Sequence, residues 1–141
     1  MDKQIIKNII IEKQVAIPNY KLIHRDFLFG DKSNYILVGL RRAGKSYLLY
    51  QDIQTRLQKG EQSAQDILYI NFEDERLSSL KAEELGIILD SYMELYPGKQ
   101  PLIYLDEIQN VEGWEKFARR LADSQYRVMI TGSNAKMLGK E

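Results

Sequence analysis

Glycines, a lysine and a serine occur at fixed spacing in residues 39–46, which read G-L-R-R-A-G-K-S. Gly39 and Gly44 permit a tight turn in which main-chain N–H groups approach a bound anion without obstruction by a Cβ atom. Lys45 can reach the β- and γ-phosphates of a nucleotide, and the hydroxyl of Ser46 can bind Mg²⁺. The pattern G-x-x-x-x-G-K-[ST] therefore predicts a phosphate-binding loop.

The segments on either side of this loop match the elements that must hold it. Residues 35–38 form an apolar run typical of a buried strand, and residues 47–57 place leucine and isoleucine at helical spacing. A glycine-containing turn that fits the pattern by coincidence is the alternative, and the flanking strand and helix argue against it. The residues predicted to bind the nucleotide are Gly39, Leu40, Arg41, Arg42, Ala43, Gly44, Lys45, Ser46 and Tyr47.

An acidic pair follows a second apolar run. Residues 102–105 predict a strand, and Asp106 and Glu107 come directly after it. A carboxylate at this place, the Walker B position, lies beside Mg²⁺ held by the loop serine, so Ser46 and Asp106 are the predicted metal ligands. Glu107 can act as a general base towards water, a role worth ~10²–10⁴ in rate. The alternative is a strand that simply ends in two solvated acids, and the glycine loop upstream weakens it.

Strand and helix patterns alternate along the rest of the chain. This alternation predicts an α/β three-layer sandwich with a mostly parallel sheet and right-handed crossovers. The further strands are predicted at residues 67–72 and 127–130, and the further helices at about 81–96 and from Trp114 to about Asp123.

Polar residues follow every predicted strand. Ligands of parallel α/β sheets bind outside the carboxyl ends of the strands. Residues 39–46, 71–74, 106–107 and 131–134 should therefore meet at one edge of the sheet, around the phosphates of the nucleotide.

The composition excludes several classes of function. The chain of 141 residues carries 20 Lys+Arg and 20 Asp+Glu, so no net charge draws it to nucleic acid or to an acidic membrane surface. It has no cysteine, hence no disulfide and no thiolate metal site, which fits a cytoplasmic protein. No apolar run approaches the ~20 residues of a membrane span. Nucleic-acid contact through Arg41, Arg42, Arg119 or Arg120 stays open as a weaker alternative.

An N-terminal segment, residues 1–33, precedes the predicted core at residues 34–141. A helix is predicted over about residues 2–14 and must stop before Pro18. Residues 20–29 predict a short strand or an irregular connector. The apolar stripe of the helix consists of Ile5, Ile6, Ile9 and Ile10.

The sequence resembles the AAA+ ATPases of the catalytic-glutamate class of P-loop proteins. More narrowly, it is similar to a prokaryotic branch with the motifs G-x-R-R-x-G-K-[ST], Y-I-N-F-E-D, L-D-E-I-Q and I-T-G-S. The chain has these motifs at residues 39–46, 69–74, 105–109 and 130–133. The resemblance covers the chain from about residue 34 to its end. It implies ATP binding and hydrolysis, with the strand order 5-1-4-3-2.

The resemblance also assigns secondary roles near the acidic pair. It places Asn71 where related ATPases keep a polar residue that holds the catalytic glutamate inactive, and capping of the strand end is an equal alternative. A sensor residue after the fourth strand is expected to orient the attacking water, with Ser133 as first candidate, followed by Thr131 and Asn134. The catalytic set predicted in this way is Glu107, Lys45, Ser133 and Asn71.

Relatives of this kind continue into a fifth core strand, a helical lid and usually a C-terminal domain. The chain is therefore interpreted as a truncated core in which the fifth strand, sensor 2 and the arginine finger are missing. The unpaired edge of the first strand is expected to be covered by residues 20–29 or by a second molecule.

Together these inferences predict Mg²⁺-dependent binding and hydrolysis of ATP, with a homo-oligomer or a protein partner left open and no membrane association. The chain has no guanine-reading N-K-x-D motif, which favours adenine. A nucleotide-dependent binding module or switch with little turnover is the alternative. A small-molecule kinase is a third hypothesis, and Glu107 argues against it because a kinase transfers phosphate to a substrate hydroxyl and not to water.

Overall fold

The structure, a computed structural model, describes residues 1–24, 29–30, 34–39 and 44–133. Within these residues, strands form a single four-stranded sheet in which every neighbouring pair is parallel. The strand that precedes the glycine loop lies beside the fourth strand, so the predicted order 1-4-3-2 is confirmed. No fifth strand occurs in the described part of the chain. In order across the sheet, the strands are β1 (Tyr35–Gly39), β4 (Arg127–Ser133), β3 (Leu102–Asp106) and β2 (Ile67–Asn71).

Helices cover both faces of the sheet. Three of the α-helices in the described ranges contribute to the apolar cluster on one face, and the fourth packs on the opposite face. The predicted α/β three-layer sandwich is therefore confirmed. The helices of the first face are α1 (Lys3–Ala16), α3 (Gly86–Leu95) and α4 (Glu115–Asp123), and the helix of the second face is α2 (Lys45–Gln58).

Alternate residues of the central strands enter the two apolar clusters, as the two-residue period of a strand requires. Ile70 and Leu105 pack against α1, α3 and α4. Tyr69 and Tyr104 point to the other face, where Leu49 and other apolar side chains of α2 meet them. Both faces of the inner strands are buried, which explains their nearly continuous apolar sequence.

Helix α1 is joined to the core by polar contacts as well as by its isoleucines. Asp2 caps the helix, because its Oδ1 accepts a hydrogen bond from the N–H of Gln4 at 2.8 Å. The buried amide of Gln14 donates to the carbonyl oxygen of Ile67 at 2.9 Å and accepts from the hydroxyl of Tyr96 at 2.7 Å. The helix therefore lies beside β2 and covers that edge of the sheet.

The helix predicted at about 81–96 starts later than expected. A 3-10 turn spans Ala82–Glu84, and α3 begins at Gly86. The Glu84 side chain accepts a hydrogen bond from the N–H of Lys81 at 3.1 Å, and the N–H of Leu85 bonds back to Ala82 at 3.2 Å. These short-range bonds tighten the first turn, so the prediction of a continuous α-helix from Lys81 was wrong.

Strand β1 is less covered than the inner strands, since the side chains of Ile36 and Val38 are 56% and 43% exposed. The segment predicted to cover this strand divides: Tyr20 lies against Tyr50 of α2, with ring centroids 5.0 Å apart, whereas Phe29 packs against Tyr35 of β1, with ring centroids 4.8 Å apart. Residues 20–24 are irregular, and residues 25–28 lie outside the described ranges. No helix in the described ranges is both long and apolar enough to cross a bilayer.

Candidate active site

Strands β1 and β4 end side by side at the carboxyl edge of the sheet. Gly39 ends β1 and is the register partner of Ser133, the last residue of β4. Gly44 stands before α2 with φ of +87°, a left-handed conformation that strains residues carrying a Cβ. The side chain of Lys45 is buried, and its Nζ donates to the carbonyl oxygen of Gly39 at 3.3 Å. The lysine side chain therefore lies beside the last residue of β1.

A cavity of about 360 Å³ opens at the start of α2. It is large enough to receive part of a nucleotide, and its hydroxyls and lysine suit phosphate and sugar. A larger cavity of about 520 Å³ between α3 and α4 includes neither Lys45 nor the acidic pair. The smaller cavity is lined by Gly44, Lys45, Ser46, Tyr47 and Tyr50. The predicted nucleotide-binding residues Leu40, Arg41, Arg42 and Ala43 lie outside the described ranges.

Asp106 ends β3 and is completely buried. Its Oδ2 accepts a hydrogen bond from the hydroxyl of Tyr69, and its Oδ1 accepts one from the hydroxyl of Thr131. Burial and the nearby Asp106 charge hold the pKa of Tyr69 well above its usual range, so the tyrosine keeps the proton that it donates. The two hydroxyls fix the carboxylate from both neighbouring strands.

Glu107 has an unusual backbone and an unpaired side-chain atom. Its φ of 54° is left-handed, and its N–H donates to the Oγ1 of Thr131 at 2.9 Å. The residue is only 6% exposed, and its Oε1 has no hydrogen-bond partner in the described structure. Burial, followed by the charge of Glu73, raises the pKa of the carboxyl, whereas the charge of Lys45 lowers it. A carboxylate oxygen that is buried, unpaired and more basic than usual is suited to accept a proton.

The residues predicted for secondary roles, Asn71 and the sensor candidates, differ in their contacts with the acidic pair. Asn71 accepts a hydrogen bond through its Oδ1 from the N–H of Glu73 at 2.9 Å, the capping arrangement considered as one of its two roles. Ser133 lies beside Gly39 in the register of the sheet. Among the three sensor candidates, Thr131 is the one joined to Asp106 and to Glu107, while Asn134 is outside the described residues.

Two residues near the acidic pair were not predicted as part of the site. Tyr69 holds Asp106, and a side-chain hydrogen bond from Gln109 acts to lower the pKa of Glu107. Tyr69 opens the motif Y-I-N-F-E-D, and Gln109 closes L-D-E-I-Q. The signal that could have found Tyr69 is its place two residues before Asn71, which puts both side chains on one face of β2.

The residues present fit a magnesium ion that arrives with a nucleotide. Mg²⁺ prefers oxygen ligands and commonly takes one or two from the protein, the rest coming from phosphate and water. Ser46 and Asp106 would supply these oxygens. The described residues contain no group of three His, Cys, Asp or Glu side chains of the kind that forms a dedicated metal cage.

A parallel sheet of this order, with a glycine loop between β1 and α2 and an acidic pair after β3, defines a P-loop α/β domain of the AAA type. The chain belongs to the AAA domain family, whose sequence profile matches residues 31–141.

Comparison with curated proteins identifies relatives whose own functions are uncharacterized. An uncharacterized protein of Methanocaldococcus jannaschii is 38% identical over 144 aligned residues, which include 100% of this chain and 31% of that protein. An uncharacterized protein of Haemophilus influenzae is 39% identical over 110 residues, or 75% of this chain and 26% of that protein. The chain thus spans about a third or less of the length of these relatives. No solved structure matches the sequence at a significant level.

Proposed function

We propose that this chain is the catalytic core of an Mg²⁺-dependent ATPase that binds ATP at the glycine loop and hydrolyses it with Glu107 as general base. The observation that carries the proposal is the state of Glu107 Oε1, which is buried and without a hydrogen-bond partner in the described structure. An unpaired carboxylate oxygen inside a protein is costly and calls for a ligand or a water molecule.

Each side chain of the site has a separate role in the proposed hydrolysis of ATP. Lys45 balances the negative charge of the phosphates, and the main-chain N–H groups at the start of α2 add the positive end of the helix dipole. Glu107 Oε1 takes a proton from the attacking water. Mg²⁺, when bound through Ser46 and Asp106, would neutralise charge on the phosphate oxygens. Thr131 holds the carboxylate of Asp106 and the main chain of Glu107 together.

Phosphate release from ATP tests the role of Glu107. Glu107→Gln keeps the size of the side chain but removes its basicity, so we expect the hydrolysis rate to fall by ~10²–10⁴. Binding of a fluorescent ATP analogue should persist in the same variant, because the amide leaves the loop intact. Glu83→Gln, at an exposed position, is the matched control and should hydrolyse at the wild-type rate. Equal rates for Glu107→Gln and wild type would remove the assigned base.

A nucleotide-dependent switch with little turnover is the second candidate function. It is favoured by Thr131, whose hydroxyl donates to Asp106 and accepts from the N–H of Glu107 and so connects the acidic pair to β4. Saturating ATP should then raise the thermal stability, by ~2.7 kcal/mol at a hundredfold excess over Kd, while no phosphate is released. Turnover that depends on Glu107 would exclude the switch.

A further inference from the structure

We propose that Tyr69 is a positioning residue: its hydroxyl fixes the direction in which the carboxylate of Asp106 faces a nucleotide-bound Mg²⁺. The inference rests on the proposed function, since it takes Asp106 as a metal ligand. It adds a residue from β2, a strand that contributes no side chain to the predicted metal site.

The sheet brings Tyr69 to Asp106. Tyr69 and Tyr104 are register partners on β2 and β3, and Asn71 is the partner of Asp106. Side chains two residues apart on a strand share a face, so Tyr69 and Asp106 project to the same side of the sheet from adjacent strands. The tyrosine is completely buried there, and its hydroxyl donates to Oδ2 of Asp106.

A second hydroxyl holds the other oxygen of the same carboxylate. Thr131 on β4 donates to Oδ1 of Asp106 and accepts from the N–H of Glu107. With one donor on each side, the carboxylate cannot rotate about its own bond without breaking a hydrogen bond to a charged group. Its orientation is therefore set before any metal arrives.

Tyr69 also connects this carboxylate to the nucleotide cavity. The hydroxyl oxygens of Tyr50 and Tyr69 lie 3.2 Å apart. A tyrosine hydroxyl has one proton, and Tyr69 donates its own to Asp106, so Tyr50 is the donor between the two tyrosines. Tyr50 lines the cavity at the start of α2. If Tyr69 only stabilised the fold by donating to a buried carboxylate, its hydroxyl would not need a further contact with a residue that lines the cavity.

Tyr104 offers a matched control within the same sheet. It is the register partner of Tyr69, is equally buried, and its hydroxyl also donates to a carboxylate, that of Asp52, at 2.6 Å. Asp52 is paired with Arg56 at 2.9 Å and is not one of the predicted site residues. Removal of either hydroxyl therefore costs a similar buried hydrogen bond, but only Tyr69 contacts Asp106.

The experiment measures how nucleotide binding depends on Mg²⁺. A fluorescent ATP analogue is bound to wild type, Tyr69→Phe, Tyr104→Phe and Asp106→Asn while Mg²⁺ is titrated, and the affinity in EDTA is measured separately. We expect Tyr69→Phe to raise the Mg²⁺ concentration at half-maximal binding by about 10-fold, the lower end of the effect of losing a residue that orients a metal ligand. Asp106→Asn, which removes the ligand itself, should raise it by at least as much. Tyr104→Phe should match wild type, and the affinities in EDTA should be equal for wild type and the two tyrosine variants.

The outcomes separate the two proposals. A Tyr69→Phe midpoint that equals that of Tyr104→Phe, or that falls below wild type, overturns the positioning role even if Asp106→Asn shifts. An unchanged midpoint in Asp106→Asn overturns the assignment of Asp106 as a metal ligand, and the positioning role with it. If Tyr69→Phe does not fold, Thr131→Val is compared with Thr131→Ser, which keeps the hydroxyl. A shift in the valine variant alone supports a hydroxyl clamp on Asp106, and equal midpoints overturn it.

Discussion

At the scale of single residues, Glu107 is held in a state that is unfavourable for folding. Glu107 combines a left-handed backbone, which costs ~1–3 kcal/mol for a residue other than glycine, with a buried and unpaired carboxylate oxygen. Its main chain is held on both sides, because its N–H bonds Thr131 and its carbonyl accepts from the side chain of Asn110 at 3.0 Å. The surroundings thus maintain a conformation that the residue alone would avoid.

Replacing this carboxylate should make the fold more stable, whereas the proposed function predicts slower hydrolysis of ATP. In Glu107→Gln no charge is buried, so we expect the melting temperature at neutral pH to rise by ~2–4 °C for each kcal/mol recovered. Differential scanning calorimetry without nucleotide measures the change. The exposed Glu83→Gln serves as control and should melt with wild type. A Glu107→Gln variant that melts lower than both would show that the carboxylate stabilises the fold.

The places of the candidate site residues in the fold could be predicted from the sequence, because these residues lie at the start of α2 or at the end of β3, while the roles proposed for them stay predictions. Two short sequence motifs, each recognisable without long-range information, contain Lys45 and Ser46, and Asp106 and Glu107. The clamp on Asp106 could not be predicted, since Tyr69 and Thr131 are 37 and 25 residues away from it along the chain. Such contacts depend on strand register and on which face each side chain occupies. The preference for Ser133 over Thr131 as the sensor residue was made without knowledge of the strand register or of which face each side chain occupies.

At the scale of elements, one buried amide helps to hold α1 to the core. Gln14 donates to Ile67 of β2 and accepts from Tyr96, just after α3, and it is 7% exposed. It therefore ties the helix to both of its neighbours. A buried hydrogen bond whose partner is removed leaves unsatisfied groups behind, which is why the position should be sensitive.

Gln14→Met, which keeps the length of the side chain, should lower the free energy of unfolding by ~1–3 kcal/mol. Urea denaturation followed by circular dichroism measures the loss. Gln4→Met is the control, because Gln4 is exposed and, in the part of the chain that the structure describes, bonds within its own helix and its cap. The control should change stability by less than ~0.5 kcal/mol. Equal losses for the two variants would mean that the bond to Ile67 contributes nothing.

An ion-pair cluster on the surface joins α1 to α3 and makes this contact depend on pH. Lys3 and Lys7 bond the carboxylate of Glu94 at 2.5 and 2.8 Å, and these bonds lower the pKa of Glu94 from 4.5 to about 2. Because the pKa is lower in the folded state, the stabilisation is present above pH 4.5 and is lost as pH falls towards about 2.

The Glu94→Gln variant tests this dependence. It should be less stable than wild type at neutral pH, and the difference should shrink as the pH is lowered through that range. Added salt should also reduce the difference, since the groups are exposed to solvent. Thermal melts at several pH values and two salt concentrations measure it. A difference that stays constant from pH 7 to pH 2 would contradict the ion-pair explanation.

The elements themselves were predicted well where the hydrophobic period was regular. The strands and α1 lie within a few residues of their predicted positions, because isoleucine and leucine spacing is a local property. The start of α3 was predicted too early. Residues Ala82–Glu84 are good helix formers, but the Glu84 side chain holds them as a 3-10 turn. That competition between a side chain and the main chain leaves no trace in the hydrophobic pattern.

At the scale of the whole molecule, the two edges of the sheet differ. The β2 edge is covered by α1, whereas β1 exposes Ile36 and Val38 and, among the described residues, pairs only with β4. Exposed apolar side chains on an edge strand favour association with another chain.

We therefore expect the purified chain to self-associate through this strand as its concentration rises. Ile36→Lys combined with Val38→Lys should reduce the association, because charged side chains block edge pairing. Sedimentation velocity over a range of concentrations measures it. Val15→Lys on α1, where valine is 64% exposed, is the control and should associate like wild type. The same loss of association in the control would point to general solubility and not to β1.

The amide of Gln14 has one further consequence for the architecture. Since it occupies a main-chain acceptor of β2 and α1 lies against that strand, addition of a further strand is blocked at this edge of the sheet. We expect an added strand to pair with β1, whose last residue, Gly39, is the first glycine of the predicted phosphate-binding loop. Pairing of a further strand and binding of a ligand at the loop would then both act on the position of β1.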